Sequence, residues 1–302
     1  MRVHESLYNG LIKSISSEKN GSVPQCHYVV GKKGYGKTAL LRQINSYLSE
    51  SNKYEPIYVD CLLTPALTVD WMIAHENQSS RRMVWLLDGM DLFLAGISEK
   101  EQFRFRAMIY EENAPIAIGT GDSLSEHFIS YGAPFYDTFS LHMLKEMLPS
   151  VAAQFVAQER NGKGRISEDM IDSILSEIGY TPFNCCLLAQ VNDELSRDEM
   201  MREVLHPLTN YYRMLISNLS VLQRRTVICL LSSDRPLLLK DIRSATNLAG
   251  GDLSPQLKSL SLRGLVTQKS LGVKKTGYSI SDRTMSAWYR YNFMKGALNV
   301  LR

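Results

Sequence analysis

The sequence predicts an α/β protein: a parallel sheet with helices between its strands, then a helical segment, then a helix-and-hairpin unit at the carboxyl end. Three observations lead there. From residue 26 to about 140, short apolar runs ending in polar turns alternate with amphipathic stretches. The first of these runs passes through a glycine-rich turn directly into a helix. Charge is also split along the 302 residues: 211–302 carry 15 Lys and Arg against 4 Asp and no Glu, a local +11 in a chain of net +3, which leaves −8 on the rest.

Cys26–Val30 reads as a buried strand, and Leu40, Leu41, Ile44 and Leu48 form one face of the helix that follows. Between them, Gly31-Lys32-Lys33-Gly34-Tyr35-Gly36-Lys37-Thr38 matches G-x-x-x-x-G-K-[ST], a phosphate-binding loop. Each letter has a physical task. The glycines let the backbone turn and aim its N–H groups inward, and the helix start adds its positive dipole end. Lys37 reaches the β- and γ-phosphates, and the Thr38 hydroxyl meets Mg²⁺. Gly31, Gly34, Tyr35, Gly36, Lys37, Thr38 and Ala39 are thus the expected cradle for ATP.

Pro56–Asp60 is a second strand. Met83–Leu87 is another, and it ends in Asp88, a carboxylate placed to hold Mg²⁺ opposite Thr38. Ile116–Thr120 is a fourth, ending in the turn Gly121-Asp122-Ser123.

From 140 to 210 the chain reads as a helical lid, with Leu141, Leu144, Leu148, Val151 and Phe155 at helical spacing. In 211–302, Val221–Leu231 and Leu239–Ala245 read as helices. A third is capped by Ser254-Pro255 and ended by Gly264, and a hairpin pairs Leu265–Lys269 with Gly277–Ser281. This order resembles a winged helix-turn-helix. The third helix of such a domain enters a DNA groove and its wing reaches phosphates, so Lys258, Arg263, Lys274 and Lys275 are the expected DNA contacts; the bland alternative is a solvated basic surface or a protein dock. The expected domains are 1–139, 140–210 and 211–302.

Together these motifs make the chain resemble the STAND and archaeal-type branch of the AAA+ ATPases. The resemblance carries further expectations. Asp88-Gly89-Met90-Asp91 is similar to the D-G-h-D pattern of NACHT-type members, which makes Asp91 the candidate general base; the alternative is a cap for a helix beginning at Leu92. Thr120 takes the place of a residue that senses the γ-phosphate, with an ordinary strand-end threonine as the alternative. Gly179-Tyr180-Thr181-Pro182-Phe183 looks like the G-x-P turn, with one extra residue, and assigns Pro182 to the nucleotide; Tyr180 and Phe183 are expected in core packing. Arg81, Arg82, Arg104 and Arg106 are the arginines available to act on a neighbouring subunit, with solvated charges as the alternative.

Composition excludes several classes. The longest apolar runs fall well short of the roughly 20 residues of a membrane span, and the five cysteines form no C-x-x-C pair. The six histidines are scattered. The expectation is a cytoplasmic ATP-switched ATPase, with Mg²⁺ as its cofactor, that binds DNA, signals to a separate effector and can form an ATP-dependent homo-oligomer. The competing expectation is a regulatory module with ATP as a structural ligand.

Overall fold

The structure is a computed structural model that describes residues 4–19, 21–76, 81–247, 250–272 and 275–294. The chain divides into two compact units, 1–147 with 181–183, and 148–180 with 184–302.

The first unit runs α1 (Glu5–Ser17), β1 (Cys26–Val30), α2 (Lys37–Ser49), β2 (Tyr54–Asp60), α3 (Val69–Glu76), β3 (Arg82–Asp88), α4 (Met90–Gly96), α5 (Glu99–Ile109), β4 (Ile116–Gly121), α6 (Glu126–Ile129) and β5 (Phe139–Met143). Its strands form a five-stranded parallel sheet in the order β2-β3-β4-β1-β5. A parallel sheet must be covered on both faces, and the strand period of two sorts the side chains accordingly. Tyr28, Trp85, Leu87 and Ala117 face the helices that carry Met72, Phe93, Phe105 and Phe128. Val29, Val84, Leu86 and Ile118 face α1 and α2, through Tyr8, Leu11, Ile15, Leu40, Leu41 and Ile44. At Gly119 the two layers close up, since a Cβ there would collide with the Met90 side chain.

β5 differs from expectation: 139–143 is a strand, where Leu141 and Leu144 read as the start of a helix. Pairing with β1 from Cys26↔Phe139 to Val30↔Met143 settles it. As an edge strand it buries alternate residues only weakly, and its sequence signal is correspondingly faint. β5 also brings together two of the scattered histidines: His27 Nδ1 lies 3.1 Å from His142 Nε2, and His27 Nε2 lies 3.0 Å from Ser14 Oγ. Burial, and then the His142 neighbour, push His27 down to about 4 from 6.5.

The second unit contains α7 (Pro149–Arg160), α8 (Glu168–Ile178), most of α9 (Pro182–Ala189), α10 (Arg197–Leu205), α11 (Thr209–Ser217), α12 (Val221–Leu231), β6 (Leu237–Leu238), α13 (Leu239–Thr246), α14 (Gly250–Leu262), β7 (Val266–Ser270), β8 (Thr276–Ile280) and α15 (Arg283–Tyr289). Its helical part is centred on Arg160, 3% exposed. That guanidinium donates to the carbonyls of Lys163 (3.1 Å), Gly164 (2.9 Å) and Val191 (2.6 Å) and pairs with Asp193 at 3.0 Å.

From α12 onward the element order is the expected helix, helix, helix, hairpin, with the short β6 joining as a third antiparallel strand, β6-β8-β7. Leu253, Leu257 and Leu260 are buried, as their spacing requires. α14 starts at Gly250 rather than Ser254. Pro255 therefore lies inside the helix and forgoes one backbone hydrogen bond, instead of opening the first turn. In α15, Trp288 is buried, packs at 5.3 Å on Tyr212 and donates through Nε1 to Thr209 Oγ1 at 3.1 Å.

All five cysteines are free. Burial raises the Cys26, Cys61 and Cys185 thiols to about 12 and also raises Cys186 and Cys229. Among the described residues no helix is long and apolar enough to cross a membrane.

Candidate functional site

The site is built where the strands of the first unit end. β1 delivers the chain into the loop at Gly31, whose N–H donates to the Gly121 carbonyl at 3.1 Å. Gly36 sits at φ 86°, which a residue with a Cβ rarely adopts, and this conformation lets α2 begin at once with Lys37. Thr38 in the first turn is exposed, with Ala39 behind it. Lys37 folds back: its ammonium donates to the Gly31 carbonyl, to the Lys32 carbonyl at 3.3 Å and to Asp122 Oδ1 at 2.7 Å.

β3 ends at Asp88, and both of its carboxylate oxygens are held. Tyr58 donates to Oδ2 and Thr120 to Oδ1, each at 2.8 Å. Burial, then the Asp88 hydrogen bond, push the Tyr58 hydroxyl up to about 12, so it stays a donor across the ordinary pH range. Thr120 is fully enclosed. Its hydroxyl also accepts the Gly89 N–H at 2.9 Å, so it ties β4 to the end of β3 and orients Asp88.

α4 begins at Met90 with Gly89 as its N-cap at φ 77°. Asp91 therefore lies inside the first turn and is not the cap of a helix starting at Leu92. Its Oδ2 accepts the Asp122 N–H at 3.0 Å and its Oδ1 the Leu92 N–H at 3.1 Å. Phe183 N–H donates to the Gly34 carbonyl at 3.2 Å, so the helix start at Pro182 lies beside the loop. Phe183 is 45% exposed, and Tyr180 is half-buried with its hydroxyl on Asp172 at 2.6 Å; neither is a core side chain as expected, because both sit at a helix junction.

Three of the four expected arginines are engaged locally. Arg104 pairs with Asp70 at 2.6 Å, Arg106 lies over the Tyr110 ring at 5.5 Å and Arg81 meets Glu55 at 3.5 Å. Arg82 opens β3, six residues or about 20 Å of strand from Asp88. Lys258, Arg263 and Lys275 are exposed, and Lys274 lies outside the described residues.

Asp122 and Tyr58 escape a reading by motif. Asp122 reaches Lys37 across 85 positions, and Tyr58 reaches Asp88 across 30. For Tyr58 a signal exists: it stands two residues before the end of β2, on the strand beside β3.

No family model matches the chain, and no curated protein matches it in sequence. Solved structures do match its fold. A Walker-type ATPase of Pyrococcus abyssi is 14% identical with a TM-score of 0.63, over 96% of each chain. The Orc1 protein of Aeropyrum pernix, solved in complex with DNA, is 13% identical with a TM-score of 0.57, over 97% of this chain and 92% of its own. A RuvB variant of Thermotoga maritima is 14% identical with a TM-score of 0.52, over 95% and 94%. In fold, then, the chain matches these solved structures over nearly its whole length, with its α/β unit built on a five-stranded parallel sheet.

Proposed function

We infer that the chain is an ATP-switched ATPase that binds DNA through a winged helix-turn-helix in 211–302 and signals its nucleotide state to a partner protein. The observation that carries this reading is the convergence, at one edge of the parallel sheet, of the Gly31–Thr38 loop with Asp88 and Asp91. The loop amides and Lys37 bind and orient the phosphates. Thr38 and Asp88 offer a hydroxyl and a carboxylate, hard oxygen donors suited to Mg²⁺. When bound, that ion offsets charge on the β- and γ-phosphates. Tyr58 and Thr120 fix the Asp88 carboxylate, and Asp91 positions the attacking water. The +11 of residues 211–302 supports a polyanion as the terminal partner, with Lys258, Arg263, Lys274 and Lys275 on phosphates. The Orc1 neighbour, solved with DNA, favours the same choice.

A second reading has its own support. Asp91 already accepts two backbone N–H groups, which suits a residue that holds a turn more than one that takes a proton. In that reading ATP is a structural ligand, turnover is negligible and the terminal unit docks protein.

ATP hydrolysis by the wild type and Asp91→Ala, with and without double-stranded DNA at two salt concentrations, separates the two. DNA-stimulated turnover that is lost in the variant and falls steeply with salt supports the ATPase. Tight ATP binding with no turnover and no DNA effect supports the module.

A further inference from the structure

We propose that Asp122 is a built-in competitor for the phosphate group that Lys37 binds, and so sets which ligands the loop retains. The inference rests on the reading of the loop as a nucleotide site. An ammonium has three protons to donate. Lys37 directs its contacts to the Gly31 carbonyl, the Lys32 carbonyl and the Asp122 carboxylate. Of these acceptors Asp122 alone carries a full charge, at 2.7 Å, and it stands where an anionic ligand would otherwise be held.

The turn that bears Asp122 is fastened independently. Gly121 accepts the Gly31 N–H at 3.1 Å, and the Asp122 N–H goes to Asp91 at 3.0 Å. Its backbone therefore stays in place whatever its carboxylate does. The two partners are unequally housed: the Lys37 side chain is 12% exposed and the Asp122 side chain 71%. The carboxylate can swing into water while the ammonium stays at the loop. A terminal phosphate, with more negative charge than one carboxylate, displaces it; a ligand with no phosphate within reach of Lys37 does not.

The test is equilibrium binding of ATP, ADP and AMP to the full chain, in the wild type, Asp122→Asn and Glu126→Gln. The last removes one exposed negative charge four residues further on and serves as the control for a general field effect. Loss of a competing ion pair with one exposed partner predicts ATP and ADP binding about two- to fivefold tighter in Asp122→Asn, with AMP and the Glu126→Gln variant unchanged. Binding by Asp122→Asn where the wild type binds nothing supports the competitor more strongly still. Equal affinities in the wild type and Asp122→Asn overturn the competitor while leaving the nucleotide site intact. An equal gain in Glu126→Gln, or an equal gain for AMP, overturns it as well. Absence of binding in all three proteins overturns the nucleotide reading itself.

Discussion

The two units spend their charge differently. At the sheet edge of the first, Lys37, Asp88, Asp91 and Asp122 are joined to one another or to Tyr58 and Thr120 by single short hydrogen bonds. In the terminal part of the second, a +11 excess is spread over exposed side chains such as Lys258, Arg263 and Lys275. A directed site concentrates its free energy in a few geometries, so one substitution removes most of it. A diffuse basic face works by the number of its charges, and each contributes a small share. The second unit also fixes some charges by several bonds, Arg197 on Tyr291, Ser173 and Glu177 and Arg290 on Glu177 and Asp234; Arg160 does so while buried, and it gives the sharpest way to break the comparison.

Arg160→Met removes the buried guanidinium and leaves Asp193 and the carbonyls of Lys163, Gly164 and Val191 without their donor. The expected loss is about 3–5 kcal/mol, measured by urea unfolding. A loss below about 1 kcal/mol would mean that even this charge behaves like a surface one. Under the proposed function, Asp88→Asn keeps the shape of the first unit's edge but removes the carboxylate charge offered to Mg²⁺. We expect hydrolysis to fall about 100-fold or more, with the midpoint of thermal unfolding little changed.

The buried histidine pair supplies a third test, in the pH dependence of stability. With His27 at about 4 in the folded chain against 6.5 ordinarily, the unfolded chain binds the extra proton first. Stability is full above pH 6.5 and declines as pH falls towards 4, by about 3 kcal/mol in total. His27→Gln should flatten that slope whatever it does to the stability at neutral pH. The smallest effect belongs to the diffuse face. Lys258→Ala and Arg263→Ala should each lower the slope of log binding constant against log salt by about 1 on any DNA sequence. A loss confined to one sequence would show that this face reads bases.

Much of this is legible in the sequence where local chemistry and local pattern agree. The strands β1 and β3 are apolar runs of fixed period, and the loop between β1 and α2 is defined by residue types that its geometry demands. The order of helices and hairpin after Val221 follows from spacing and turn residues alone. What the sequence conceals is long-range. β5 is a strand because β1 lies beside it, although Leu141 and Leu144 fit a helix equally well. Thr120 reads as a phosphate sensor by its place in the chain; that its hydroxyl holds Asp88 and Gly89 is set by the register of β3 against β4. The start of α14 at Gly250 defies the Ser-Pro signal, because the proline costs a helix that is packed through Leu253, Leu257 and Leu260 only one hydrogen bond.

The three buried and two half-buried thiols have a practical side. Their protonation is held in place by burial, so at neutral pH they present almost no thiolate to an electrophile. A cysteine introduced at an exposed serine, Ser123 in the turn beside Lys37 or Ser270 at the end of β7, would outpace all of them in reaction with a maleimide. The wild-type chain thus offers a slow-reacting background for site-specific fluorophores, slowest at Cys26, Cys61 and Cys185, and energy transfer between those two positions can follow one unit against the other when ATP is added.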